Sequence, residues 1–155
     1  MKKNQGFSLV ELIVVIAIMA ILVGVLAPAY LRYVEKSRKS TDVSSISDIM
    51  GAAEKVAVDP QYSVAKNTTF TITSDATGNV TVSTSGATAL TQGFTDVANM
   101  KNGYTMKSTA FKATGTLTGT VGPDGEISWS GSGVFAKTGT DTFGDYSADF
   151  AKKLS

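Results

Sequence analysis

Cysteine and histidine are both absent from the 155 residues. Without cysteine there is no disulfide, no thiol nucleophile and no thiolate metal ligand. Without histidine the Ser-His-Asp and Cys-His catalytic sets are excluded, as are the common His-ligand zinc sites. Charge is sparse, at 17 % of residues with a net charge of +1. That balance gives no electrostatic case for binding nucleic acid, and no specific nucleic-acid site is detected. Nothing in the chain assembles a nucleophile, a base and an oxyanion site, so an enzyme is the least favoured class. The length favours one domain.

What the chain has in excess is one apolar run. A short basic leader, Met1-Lys2-Lys3-Asn4-Gln5-Gly6, leads into an almost wholly apolar stretch from Phe7 to Leu31. About 25 residues of helix span roughly 37 Å, enough to cross a hydrocarbon core of roughly 30 Å. The stretch holds one charge, Glu11, near its start. A carboxylate at mid-membrane costs about 2.5–3.5 kcal/mol on insertion scales, and such a group is a functional-site candidate whose partner is a cation. A second role is compatible with the first. Ser8-Leu9-Val10-Glu11 fits the capping box, with Ser8 as N-cap, Glu11 three residues on, and Phe7 with Leu12 as a hydrophobic staple.

The string Gly6-Phe7-Ser8-Leu9-Val10-Glu11-Leu12, with the apolar run that follows, closely resembles the class III signal sequence of type IV pilins and the related pseudopilins. The specific match covers roughly residues 2–35. The resemblance implies that a membrane aspartyl peptidase, the prepilin peptidase, cuts between Gly6 and Phe7. It implies N-methylation of Phe7 and a role for Glu11 as the assembly charge. Pro28 falls at the family's helix-kink position. Many Gram-negative members close a C-terminal loop with a disulfide; this chain departs from that pattern, which leaves open how its C-terminal part is held.

The implied mechanism has a physical basis. A subunit joining a filament can pair its Phe7 amine with the Glu11 carboxylate of its neighbour. A buried pair adds little over an apolar contact, but losing one partner costs about 3–5 kcal/mol, and the pair's best-attested use is to set register. Cleavage is required because Lys2 and Lys3 would otherwise enter the filament core. Removing them leaves 12 of the 14 basic side chains against 13 acidic ones.

Two other readings of the segment stand beside this one. Lys2-Lys3, the apolar run and Ala27-Pro28-Ala29 resemble a secretory signal whose cleavage would release a domain starting at Tyr30. The positive-inside count also sets Lys2 and Lys3 against Arg32, Lys36, Arg38 and Lys39, and so favours a cytoplasmic C-terminal side. The family resemblance implies the opposite, a cytoplasmic N-terminus and an exported C-terminal domain, and takes precedence.

Beyond Leu31 the helix is expected to continue. Val43, Ile46, Ile49 or Met50, Ala53, and Val56 or Ala57 recur at three- and four-residue steps, marking one apolar face. Asp59-Pro60 ends it. From Phe7 to about Val58 this is one helix of about 52 residues, roughly 78 Å long. Gly24 and Pro28 are its weak points: Pro28 has no N–H for the Gly24 carbonyl and its ring crowds that group, and Gly24 disfavours helix by about 1 kcal/mol.

After Pro60 the composition turns to Thr, Ser and Gly with alternating apolar residues. Phe70-Thr71-Ile72 and Val80-Thr81-Val82 read as a hairpin around Asp75–Asn79. A short helix is expected from Thr91 to Met100, and a strand from Tyr104 to about Ala113. Leu117–Val121 and Glu126–Ser130 flank Gly122-Pro123-Asp124-Gly125, a strong turn signal, with Ile127 and Trp129 facing the helix stripe. Asp145–Leu154 reads as a short helix or as cover for a sheet edge.

Weaker site signals are few. Asp141, Asp145 and Asp149 lack the spacing of a calcium loop. Asn67-Thr68-Thr69 and Asn79-Val80-Thr81 match the N-glycosylation sequon. Arg32, Lys36, Arg38 and Lys39 are placed to meet lipid headgroups or acidic neighbours, or simply solvent. No catalytic residue, metal or cofactor is expected.

The fold class that follows is α+β, a type IV pilin fold: one long N-terminal helix, its C-terminal half packed on an antiparallel sheet of about four strands. The expected divisions are a leader at 1–6, a transmembrane or filament-core helix at 7–31 and a globular domain at 32–155. The expected function is a structural subunit of a type IV pilus-like surface filament. Its expected partners are other copies of itself, the prepilin peptidase, the assembly machinery and, before assembly, the cytoplasmic membrane. The alternatives are a pseudopilin of a secretion or competence apparatus, and a single-span or secreted binding domain that never polymerises.

Overall fold

A computed structural model describes residues 6–86 and 88–155; Lys2 and Lys3 of the leader lie outside the described residues. The chain divides into two compact units, Met1–Lys36 and Ser37–Ser155. One helix, α1 (Leu9–Val58), contributes to both and stays helical through Gly24 and Pro28.

In the second unit α1 places Ile46, Ile49, Met50, Ala53 and Val56 in the core. These are the stripe residues expected from the three- and four-residue spacing. The sheet below them is antiparallel, in the order β3-β2-β1-β4-β5. It is formed by β1 (Thr69–Ser74), β2 (Asn79–Thr84), β3 (Tyr104–Thr105), β4 (Gly115–Val121) and β5 (Ile127–Gly133). Five strands form where about four were expected.

Both hairpins form as expected. Gly125, in the β4–β5 turn, takes φ +82°, the left-handed region that glycine enters without steric cost. In the β1–β2 turn, Asp75 Oδ1 accepts from the Thr77 N–H at 2.8 Å, the Thr77 hydroxyl at 2.6 Å and the Asn79 N–H at 3.0 Å. These bonds stabilise the ionised carboxylate and bring Asp75 down to about 2.

The short helix after β2 is α2 (Thr88–Val97), three residues earlier at each end than Thr91–Met100. It packs Phe94 edge-on against Phe70 of β1, centroids 5.2 Å apart.

The strand expected from Tyr104 to about Ala113 stops at Thr105. The Met106 N–H still reaches Gly78 O at 2.9 Å. The next two amides are diverted: Lys107 and Ser108 donate to the Asp42 carboxylate of α1, at 2.9 and 2.7 Å. A chain whose amides point at a helix has none left for a strand partner.

The C-terminal segment is two helices, α3 (Phe143–Tyr146) and α4 (Ala148–Lys153), broken at Ser147, which caps the end of one and the start of the other. Leu154 then bridges Trp129 of β5. The Ser155 N–H and hydroxyl both donate to Trp129 O at 2.8 Å, and Lys137 Nζ donates to Leu154 O at 2.8 Å. Phe143 sits between Phe111, Phe135 and Phe150, with centroids 4.2, 5.2 and 5.3 Å away. Backbone pairing and an aromatic cluster hold the end of this cysteine-free chain.

The two faces of the sheet differ sharply. Phe70, Ile72, Val80, Leu117, Val121 and Trp129 are buried toward the helices. The alternate positions point away, and their registers place them in rows. One row runs Ser132, Thr116, Thr73, Thr81, and the next runs Ser130, Thr118, Thr71, Ser83. A third runs Ser128, Thr120, Thr69.

Candidate functional site

The first unit contains the sequence features that point to function. From Leu9 to Leu31 the large hydrophobic side chains are exposed, among them Ile13, Ile16, Leu22 and Leu26. Among the described residues α1 is the one helix long and apolar enough to cross a membrane, with mean hydropathy 3.1 in its most apolar window and none of that window buried. An apolar surface of this length is out of equilibrium with water and calls for lipid or protein cover.

At its start the capping box is formed. The Ser8 N–H donates to Glu11 Oε2 at 2.8 Å, and the Val10 N–H donates to Ser8 Oγ at 3.3 Å. Two helix N–H groups that would lack partners in an apolar medium are thereby satisfied. The carboxylate also lies at the positive end of the helix dipole. The staple is not formed, since Phe7 is 91 % exposed. Gly6 and Phe7 precede the helix in non-helical backbone, an accessible peptide bond beside an exposed aromatic. Gly24 has open space where a Cβ would stand, so packing does not require glycine there.

The remaining candidates are scattered. Asp141 pairs with Lys39 at 3.1 Å and Asp149 with Lys152 at 3.4 Å, while the Asp145 N–H donates to Thr142 Oγ1, capping α3. The three carboxylates are not brought together, and among the described residues no three acidic side chains form a metal-ligand group. Lys39 also lies 5.3 Å from the Phe111 centroid and 5.9 Å from that of Tyr146. It is therefore committed to the domain's own packing. Of the sequon asparagines, Asn79 donates its amide to Asp75 at 3.3 Å and to Thr77 at 2.9 Å. Asn67 adopts φ 63° in the turn before β1.

One residue that the sequence did not single out organises the second unit. Asp42 is fully buried. It accepts from the Tyr104 hydroxyl at 2.5 Å and from the backbone of Lys107 and Ser108. Burial, and then the bond to Asp42, push the Tyr104 hydroxyl up to about 12. The available signal was an acid inside the apolar stripe, one residue before Val43, and such a residue needs partners.

Comparison with known proteins agrees with the N-terminal features. Residues 1–27 match the family model of the prokaryotic N-terminal methylation motif. Fimbrial protein EcpC of Eikenella corrodens is 29 % identical over 130 residues, covering 81 % of this chain and 80 % of that protein. A fimbrial protein of Pseudomonas aeruginosa is 34 % identical over 68 residues, 44 % of each chain. Fimbrial protein Q of Moraxella bovis is 32 % identical over 124 residues, 79 % of this chain and 71 % of its own. No solved structure matches the chain. With a long N-terminal helix, an antiparallel sheet and these relatives, the chain belongs to the type IV pilin family, whose members are structural subunits and not enzymes.

Proposed function

We propose that this pilin is cut between Gly6 and Phe7 by a prepilin peptidase, N-methylated at Phe7, and polymerised with copies of itself into a type IV pilus-like surface filament. The observation that carries the reading is the helix from Leu9 to Leu31, exposed and apolar except for Glu11 in its first turn. Before assembly the bilayer covers this surface, with the N-terminus cytoplasmic and the second unit exported. In the filament, neighbouring helices cover it.

Glu11 serves twice. Its Oε2 caps Ser8, and its charge receives the Phe7 amine of an adjoining subunit, which sets the stagger between subunits. Gly24 and Pro28 supply the bend. A helix lacking one backbone bond at Pro28 kinks there more readily than elsewhere. The expected divisions remain a leader at 1–6, a core helix at 7–31 and an outer domain from 32.

The mass of the mature N-terminal peptide from cells tests this reading. A chain beginning at N-methylated Phe7 supports it. A chain beginning at Tyr30 would indicate a secreted domain, and intact Met1 in cells with an active leader peptidase would remove the filament reading.

A further inference from the structure

Of the asparagines in the chain, one is followed by glycine, in the pair Asn102-Gly103. The pair lies in the turn between α2 and β3, and both residues are exposed. Gly103 takes φ +70°, and nothing stands within 4 Å of the place a Cβ would occupy. Its nitrogen is therefore uncrowded on that side. The Gly103 N–H donates to Met100 O at 2.8 Å. A single bond of this kind in an exposed turn opens at small cost in free energy.

The other described asparagines are held differently. Thr68 and Val80, which follow Asn67 and Asn79, are β-branched and crowd their own nitrogens. The Asn79 side-chain amide is also committed, to Asp75 at 3.3 Å and Thr77 at 2.9 Å. Met100, which follows Asn99, is buried, and its N–H donates to Thr95 O at 2.8 Å. Among the described asparagines, Asn102 alone combines an exposed side-chain amide with an uncrowded nitrogen one residue on.

These two groups can react with each other. As its proton passes to hydroxide, the Gly103 nitrogen bonds to Asn102 Cγ, and the Cγ–Nδ2 bond breaks. Nδ2 takes a proton from water and leaves as ammonia. The succinimide ring that remains is opened by water at either carbonyl, leaving aspartate or isoaspartate in place of the asparagine. The sum is amide plus water to carboxylic acid plus ammonia. We propose that Asn102 is a self-modifying site, deamidated in the folded chain with water as the sole co-reactant, so that each copy gains a negative charge with age. The charge arrives beside Lys101, whose ammonium pairs with Asp96 at 3.2 Å. It also arrives at the wall of the cleft that Gly103 shares with Asp48, Lys55 and Asn99. The isoaspartate product lengthens the main chain just before Tyr104, the residue anchored to Asp42.

The test is incubation of the full chain in detergent, at neutral and mildly alkaline pH, followed by peptide mass mapping and isoelectric focusing. Unchanged emission from the buried Trp129 shows that the incubated chain is still folded. The Asn102 peptide should convert to a pair of acidic isomers, and an acidic band should grow in step with it. The rate should rise about tenfold per pH unit, since the attacking nitrogen must first lose its proton. Asn102→Ser should abolish the acidic band, while Asn67→Ser should leave it growing as before. A parallel sample in urea reports the reaction of the unfolded chain. No conversion at Asn102 in the folded chain, whether or not the urea sample reacts, would overturn the proposal. So would equal conversion at Asn67, Asn79 or Asn99. Neither result bears on leader cleavage or polymerisation.

Discussion

Asp42 and Tyr104 lie 62 residues apart in the chain, and the Tyr104 hydroxyl donates to the Asp42 carboxylate at 2.5 Å. With Lys107 and Ser108, the contact ties the loop after β3 to α1 by a buried anion ringed with donors.

Removing that anion should be costly. Asp42→Ala removes the acceptor of the buried Ser108 amide and of the part-buried Lys107 amide and Tyr104 hydroxyl, at about 1–3 kcal/mol for a fully buried unsatisfied group and less for the other two. The expected loss is about 3 kcal/mol or more, read from urea unfolding followed by Trp129, the one tryptophan, which is 2 % exposed. Asp42→Asn keeps one acceptor oxygen and should lose less. Equal losses for the two variants would show that the negative charge, not side-chain volume or a single acceptor oxygen, is what matters there.

Tyr104 makes the pH dependence of the same contact readable. Its hydroxyl is raised from 10.0 to about 12 by burial and by Asp42. Between those values the unfolded chain has lost the proton and the folded chain has kept it. The contribution to stability is complete below pH 10 and is lost as pH rises toward 12. An ultraviolet difference titration should show the Tyr104 hydroxyl ionising toward pH 12, and Asp42→Asn should bring it earlier. A late tyrosine that persists in that variant would assign the shift to burial alone.

Asp75 behaves in the opposite sense. Its folded value, about 2, lies below the model-peptide 3.8, so its contribution is present above pH 4 and lost as pH falls toward 2. Carboxylate NMR titration measures it directly, and Thr77→Val, which removes the 2.6 Å bond, should raise the midpoint. A midpoint that does not move would assign the shift to the backbone donors.

Glu11 separates charge from cap. Glu11→Gln retains an oxygen for the Ser8 N–H and removes the charge, so under the proposed pairing helix content should hold while filament yield collapses, loss of one partner of a buried pair costing about 3–5 kcal/mol. Ser8→Ala removes the reciprocal cap at about 1 kcal/mol and should leave filaments forming. Wild-type yield from Glu11→Gln would sink the pairing mechanism.

The C-terminus offers a stability test. Leu154 is 3 % exposed beside β5, and Leu154→Ala should cost about 2–5 kcal/mol. Proteolysis from the C-terminus should accelerate in parallel; unchanged protection would show that the aromatic cluster alone holds the segment.

What the sequence made legible was local. The stripe from Val43 to Val56, the turn at Gly122–Gly125 and the capping box at Ser8–Glu11 each depend on residues a few positions apart, and each was found where expected. The missed features depend on distant pairs. Asp42 reads as an ordinary polar helix residue until Lys107 and Ser108 arrive beside it. The same contact shortened β3, since periodicity cannot show that two amides of a strand-like segment will be claimed by a helix. The break at Ser147 was hidden for a related reason: one serine serves two caps, which the spacing of apolar residues does not register.

The bridge from Leu154 to Trp129 has a consequence for how copies of this pilin can meet. A free edge strand is a template on which any extended chain can grow more sheet, the route by which β proteins tangle at high local concentration. Here Leu154 and Ser155 occupy part of the β5 edge, and β3 at the other edge offers only two residues. In the proposed filament, subunits crowded together by their apolar helices would find little backbone to recruit, keeping the ordered route of association apart from the amyloid-like one.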